Sequence, residues 1–227
     1  WTFERMQGVG VGFAVEPLLR PLGGVGDPRY REALGRATGF FNANPFLAPA
    51  SVGAEARAEL DGVPGPQIER LRTALCGPLG SLGDRLFWTG IVPALASAAV
   101  AAVALGAGIW PVAVFVVVHN VIRLRLAAWM LDLGWRHGLR VGGAISGSWL
   151  PGLSSVAGAV AAGVGAFALP VAAAWLTGRG TGRELAGVLL LVGTMVLVRR
   201  LAGHRGTALM LTLALAAGVV LWHWSTA

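Results

Sequence analysis

Long uncharged apolar stretches dominate the second half of the sequence, whereas the first 85 residues mix apolar and charged positions. Five stretches are apolar enough to form membrane helices: residues 91–107, 109–122, 153–176, 185–198 and 206–224. A helix needs about 20 residues to cross the hydrocarbon core of a bilayer. The second stretch reaches that length only by continuing through Arg123 and Arg125 toward Trp135. The pattern predicts an all-α polytopic membrane protein.

The first 85 residues contain two shorter apolar patches, 8–22 and 39–54, which glycine and proline interrupt. Such patches are typical of re-entrant membrane elements, whose irregular backbone lines a cavity or is buried in protein. A soluble domain with a small core is the alternative interpretation. Between the patches, the charged residues 27–36 predict one exposed helix.

An amphipathic segment precedes the first long apolar stretch. Residues 68–75 place isoleucine and leucines on one helical face and arginines on the other, which predicts a helix at the cytoplasmic surface. Gly77 and Pro78 are expected to end it. We therefore divide the chain into a cytoplasm-facing part, residues 1–88, and a membrane-spanning part, residues 89–227.

Composition and charge support a membrane protein and predict its orientation. The 227 residues are 55% hydrophobic and 13% charged, with 18 arginines, no lysine and a net charge of +7. A basic soluble protein would suggest a nucleic-acid partner, but residues 1–85 are neutral and the excess arginines flank apolar stretches. If residues 1–85 are cytoplasmic and each stretch crosses once, sixteen arginines lie inside and two outside. This bias predicts an external C-terminus, and we expect no nucleic-acid partner.

The sequence contains no recognisable catalytic constellation. A single cysteine excludes a disulfide framework and a four-cysteine zinc site, and the four histidines lack metal-ligand spacing. The glycine-rich residues 8–12 lack the further glycine and the lysine of a phosphate-binding loop. Asp132 has Arg136 four residues later, which favours an ordinary ion pair over a functional intramembrane carboxylate. We expect no enzyme activity, metal or cofactor.

Three polar and aromatic clusters remain, at residues 1–7, 40–49 and 77–88. Carboxylates and amides beside aromatic rings suit sugar binding, because the polar groups pair with hydroxyls while the ring covers the apolar C–H face. Pro45 and Pro49 in the second cluster would equally suit a structural turn. The candidate sugar-facing residues are Trp1, Glu4, Gln7, Asn42 and Asn44.

The third cluster predicts a break in the chain before the first apolar stretch. Three glycines at three-residue spacing disfavour a continuous helix, since each costs about 1 kcal/mol relative to alanine. Asp84 then stands where it would cap the following helix and meet the positive end of its dipole. We expect a hinge or hairpin tip formed by Gly77, Pro78, Gly83 and Asp84. The alternative is that Asp84 is only a structural cap.

The three clusters, in this order and spacing, resemble the enzyme IID subunit of the mannose/fructose/sorbose-family sugar phosphotransferase system. The shared features are Trp-x-Phe-Glu-Arg-Met-Gln, Phe-Phe-Asn-x-x-Pro-Phe and Gly-Pro-Leu-x-x-x-Gly-Asp-x-x-Phe-Trp. The similarity runs through residues 1–138 and continues mainly as hydropathy. Because the family has a cytoplasmic segment upstream of its first motif, we expect further chain before residue 1.

The resemblance implies a bacterial inner-membrane subunit that forms a hexose pathway with enzyme IIC, in a trimer of heterodimers. It implies a core domain with re-entrant hairpins and a smaller scaffold domain. Sugar would bind near the IIC–IID contact, mostly on the IIC side. Phosphoryl groups would travel on the separate IIA and IIB proteins, so this chain would not be catalytic.

Three departures from the family pattern leave a second function open. Val92 precedes Pro93 where the family commonly has arginine, and Arg85 stands where small or neutral residues are common. The acidic run after the second cluster is reduced to three residues, Glu55, Glu59 and Asp61. The alternative is therefore a non-transporting regulatory or scaffold subunit of a degenerate phosphotransferase system.

Overall fold

A computed structural model describes residues 2–177, and regular structure in that range is helical apart from isolated bridges. The α-helices are α1 (Gly8–Leu19), α2 (Pro28–Ala37), α3 (Pro49–Leu60), α4 (Gly65–Leu86), α5 (Val92–Ala104), α6 (Trp110–His137), α7 (Val141–Ser146) and α8 (Leu150–Thr177). Short 3₁₀ turns occupy Arg20–Leu22 and Gly138–Arg140, and a π-helical turn occupies Phe87–Ile91. The predicted all-α fold is confirmed.

Three continuous helical segments are long and apolar enough to cross a bilayer: Gly65–Ala104, Trp110–Ser146 and Leu150–Trp175. They contain all but a few end residues of the first three apolar stretches, and α6 continues through Arg123 and Arg125 to His137. The protein is thus a helical membrane protein. The predicted segments at residues 185–198 and 206–224 lie outside the described residues, so the total of five crossings stays a prediction.

Helix α4 contradicts the predicted helix end at Gly77 and Pro78. It runs unbroken from Gly65 to Leu86 with Pro78 inside it, and the π-helical turn leads directly into α5. Proline removes one backbone hydrogen bond from the helix, but the buried leucines on the same side pack into the core: Leu75, Leu79, Leu82 and Leu86. This tertiary packing stabilises the helix more than its glycines and proline weaken it.

Of the described residues, 2–92 and 116–159 form one compact unit, and 93–115 and 160–177 belong to a second. The first unit contains the described residues of all three polar clusters. Its helix α2 confirms the helix predicted at residues 27–36, although only one side is exposed, since Tyr30, Ala33 and Ala37 are buried. Asp27 caps this helix by accepting the Arg29 N–H at 2.7 Å. The predicted boundary at residue 88 concerns membrane placement and stays a prediction.

Helices α3 and α6 approach each other closely because glycines face each other at their crossing. A Cβ atom on Gly53 would lie 2.7 Å from the backbone nitrogen of Trp135, and one on Gly134 would lie 2.9 Å from that of Ala54. Neither position has room for a side chain. This crossing fixes the position of α3, which carries the acidic run, against a membrane helix.

Candidate functional site

The structure joins the first polar cluster to the second through Gln7. The Gln7 side chain donates from Nε2 to the carbonyl of Ala43 at 2.6 Å, and its Oε1 accepts the Ala43 N–H at 3.4 Å. The backbone N–H of Gln7 also donates to the carbonyl of Phe41 at 2.9 Å, and that of Phe41 to the carbonyl of Arg5 at 3.3 Å. Residues 5–7 of the first cluster are therefore hydrogen-bonded to residues 41–43 of the second cluster.

Asn44 joins the second cluster to the third. Its Nδ2 donates to Asp84 Oδ1 at 3.0 Å, while its Oδ1 accepts the Phe46 N–H at 3.1 Å. Asn44 is only 2% exposed, and a Cβ atom on Gly83 would overlap its side chain. Asn44 can approach α4 this closely only because Gly83 has no side chain, which explains the glycine at position 83.

Aromatic residues of the second and third clusters pack on one another. The Phe46 ring lies 4.4 Å from that of Phe87, 5.8 Å from that of Trp88 and 6.0 Å from that of His119, measured between centroids. Phe87 is fully buried, whereas Trp88 is half exposed. Most of these rings therefore stabilise the meeting point of the clusters, and Trp88 keeps a free surface.

The predicted sugar-facing residues separate into two groups. Gln7 and Asn44 use their amides within the protein, as described above. Glu4 and Asn42 are exposed, so their polar groups face outward. Trp1 lies outside the described residues. Within residues 2–177, no three histidine, cysteine or acidic side chains lie close enough together to hold a metal ion.

A buried ion pair between α3 and α4 was not predicted from the sequence. Arg72 Nη1 lies 2.6 Å from Glu55 Oε2, and the Ser51 hydroxyl donates to Glu55 Oε1 at 2.5 Å. Burial raises the pKa of the Glu55 carboxyl, and the Arg72 guanidinium opposes that shift. The prediction that the arginines of residues 68–75 face solvent is therefore wrong for Arg72 and right for Arg70, which is exposed.

Arg72 also holds the chain that enters the second cluster. Its Nη2 donates to the carbonyl of Gly39 at 2.9 Å, and its Nε donates to the carbonyl of Phe40 at 3.1 Å. The guanidinium carbon lies 5.1 Å from the centre of the Phe41 ring. The acidic run noted in the sequence was the available signal for this interaction, because a buried carboxylate requires a cationic partner.

Asp132 forms the predicted ion pair. The Arg136 Nε lies 2.8 Å from Asp132 Oδ2, one turn away on the exposed side of α6. This geometry follows from the i, i+4 spacing alone. It agrees with the interpretation of Asp132 as an ordinary surface partner of Arg136.

Asp84 does not cap a helix, so the prediction of an N-cap is wrong. It lies in the last turn of α4, and its carboxylate instead accepts the hydrogen bond from Asn44. The reason is that α4 continues where the sequence predicted a break. The hinge formed by Gly77, Pro78, Gly83 and Asp84 stays a prediction.

The Asp84→Asn variant is expected to assemble normally and to lose at most about 1 kcal/mol of unfolding free energy, because its side-chain oxygen can still accept from Asn44. Asp84→Leu should cost about 1–3 kcal/mol, since it leaves the buried Asn44 amide unpaired. Melting temperatures of the purified variants in one detergent would compare them. Equal losses would contradict a role for the accepting oxygen, and normal assembly of Asp84→Asn with lost uptake would show that the charge itself is needed.

The chain matches the family described as "PTS system mannose/fructose/sorbose family IID component" over residues 1–170. It is 28% identical over 159 residues to the PTS system mannose-specific EIID component of Escherichia coli (strain K12), covering 68% of this chain and 56% of that protein. It is 33% identical over 146 residues to the fructose permease IID component of Bacillus subtilis (strain 168), covering 62% and 52%. The chain thus spans about half the length of these relatives.

The fold is also similar to that of a solved membrane transporter. The cryo-EM structure of the mannose transporter ManYZ in complex with microcin E492 matches with a TM-score of 0.57 and 27% identity, over 72% of this chain and 61% of that one. The family match extends past residue 138, where the sequence similarity noted above becomes mainly hydropathy. The chain belongs to the mannose/fructose/sorbose family of IID components of the sugar phosphotransferase system.

Proposed function

We propose that this protein is the IID membrane subunit of a phosphoenolpyruvate-dependent transporter and forms a hexose pathway with an enzyme IIC partner. The observation that carries the proposal is the meeting of the three family clusters through Gln7, Asn44 and Asp84. Relatives named for mannose, fructose and sorbose support a hexose substrate. The fold similarity to the ManYZ complex supports pairing with a IIC subunit.

In this proposal some residues of the clusters contact the sugar and others hold the backbone around it. Glu4 and Asn42 expose groups that can pair with sugar hydroxyls, while Gln7 and Asn44 keep the surrounding backbone in place. Phosphoryl transfer belongs to the IIA and IIB carriers, and the sugar contacts mostly IIC. Residues 1–88 face the cytoplasm, the C-terminus lies outside, and the pairs assemble as a trimer of heterodimers.

Co-expression of the full-length protein with its IIC and IIA/IIB partners is expected to restore phosphoenolpyruvate-dependent hexose uptake in a deficient strain. Glu4→Ala and Asn42→Ala should each raise the KM for uptake about tenfold without affecting assembly, since each removes a group that pairs with the sugar. Gln67→Ala, an exposed change outside the clusters, is the matched control. Uptake that continues unchanged when this subunit is omitted would contradict the proposal.

The departures at Arg85 and Val92 support one alternative, a scaffold subunit that no longer transports. Such a subunit would still co-purify with IIC. Calorimetry on the purified pair separates the two functions, because a scaffold gives no heat on titration with mannose, fructose or sorbose.

A further inference from the structure

Asp84 and Trp88 lie four residues apart where α4 leads into the π-helical turn, and each keeps a free surface. Trp88 is half exposed, and Asp84 is exposed as well. Asp84 Oδ1 accepts from Asn44 Nδ2 at 3.0 Å, whereas Asp84 Oδ2 has no hydrogen-bond or ion-pair partner within residues 2–177. A ring surface and a carboxylate oxygen are therefore available about one helical turn apart.

A short segment of the second cluster holds both groups in place. The buried Asn44 bonds to Asp84, and its Oδ1 accepts the Phe46 N–H at 3.1 Å. The Phe46 ring in turn lies 5.8 Å from the Trp88 ring and 4.4 Å from that of the fully buried Phe87, measured between centroids. The carboxylate and the ring are thus positioned before any ligand arrives, which lowers the entropy that binding would cost.

A tryptophan that only anchors a helix at the membrane surface needs no carboxylate beside it. Trp149 is the comparison, because it is likewise half exposed and its ring lies 5.4 Å from that of Trp129. The residues four positions before and after Trp149 are both aliphatic, Ile145 and Leu153. Trp88 differs from it in having a free carboxylate oxygen about one turn away.

We propose that Asp84 and Trp88 contact the hexose, the Trp88 ring covering a C–H face and Asp84 Oδ2 accepting from a hydroxyl. A sugar presents C–H groups and hydroxyls side by side, so it uses both the ring and the charged acceptor. A lipid chain would use only the ring, and the carboxylate would repel a phosphate headgroup. This inference rests on the proposed function and adds two sugar contacts to it, the remaining contacts being those of IIC.

Uptake kinetics of the full-length protein, co-expressed with its IIC and IIA/IIB partners, would test both contacts with mannose, fructose and sorbose as probes. Asp84→Asn should raise the KM about tenfold at an unchanged maximal rate, because Asn44 keeps its acceptor while an NH₂ donor replaces Oδ2. Trp88→Leu should raise the KM by a similar factor, because the ring face is lost. The matched controls are Glu69→Gln, an exposed carboxylate on the same helix, and Trp149→Leu, and neither should change the KM.

Monodeoxy analogues of the transported hexose would show whether the carboxylate meets a hydroxyl. In the wild type, the analogue that lacks this hydroxyl should have a KM about tenfold above that of the parent sugar. In Asp84→Asn, that analogue and the parent should have nearly the same KM, because the hydroxyl no longer has its acceptor. An Asp84 that only stabilises the fold would change the KM of every analogue by one common factor, which would contradict the contact.

Three further outcomes would overturn the proposal. KM values of Asp84→Asn and Trp88→Leu equal to those of their controls would exclude the contact and leave the proposed transport function intact. Loss of IIC from the purified complex in both variants would assign the two residues to a contact between subunits instead. A wild-type complex that takes up none of the three sugars would contradict the proposed function, and these sugar contacts with it.

Discussion

The Arg72→Met variant is expected to lose about 3–5 kcal/mol of unfolding free energy, because the buried Glu55 carboxylate loses its cation. The carbonyls of Gly39 and Phe40 lose their donors at the same time, which adds to the loss. Unfolding of the purified protein in one detergent, followed by tryptophan fluorescence, would measure the difference. Arg70→Met is the matched control, since Arg70 is an exposed arginine on the same helix.

Two further measurements distinguish a charge effect from a loss of packing. The double variant Glu55→Gln/Arg72→Met should recover part of the stability, because it buries no unpaired charge. Since burial raises the pKa of Glu55 in the folded state, the folded protein binds more protons than the unfolded chain between the two pKa values. In Arg72→Met the guanidinium that opposes this rise is gone, so the Glu55 pKa is raised further, and the deficit of the variant should shrink as the pH falls through the variant's folded-state pKa. An Arg72→Met variant as stable as Arg70→Met would contradict the buried ion pair.

The Gly134→Ala variant is expected to lose about 2–3 kcal/mol of unfolding free energy, because the new methyl group forces α3 and α6 apart. The gain in helix propensity from alanine, about 1 kcal/mol, is too small to offset this. Gly53→Ala places a methyl group at the same crossing from the α3 side, and it should lower the free energy of unfolding by a similar amount. Melting temperatures in one detergent would rank the variants.

Gly77→Ala is the matched control for the glycine crossing. Gly77 lies inside α4, and a Cβ atom there would meet nothing within 4 Å. Alanine should be neutral or stabilise by up to about 1 kcal/mol, because the position is helical. Gly134→Ala matching Gly77→Ala in stability would contradict the close crossing of α3 and α6. Destabilisation by Gly77→Ala would instead favour the turn that the sequence predicted.

The sequence by itself determined the features that depend on local pattern. The uncharged apolar stretches predicted α5, α6 and α8, because length and hydropathy decide whether a helix can cross a bilayer. The Asp132–Arg136 ion pair followed from i, i+4 spacing. The three polar clusters indicated the family, because their order and spacing can be read from the sequence without knowing the fold.

Only the tertiary structure decided what the polar residues of the first unit do. Gln7 bonds to a residue 36 positions away, Asn44 to one 40 away, and Arg72 to one 17 away. The helical period places Arg72 on the same face as Ile68 and Leu75, and Arg70 on the opposite face, but only the fold brings Glu55 to Arg72 as the partner of its buried charge. The continuation of α4 through Pro78 was likewise decided by the core beneath it. Local propensities amount to about 1 kcal/mol per residue, whereas burial against distant segments contributes more and selects the partner of each buried polar group.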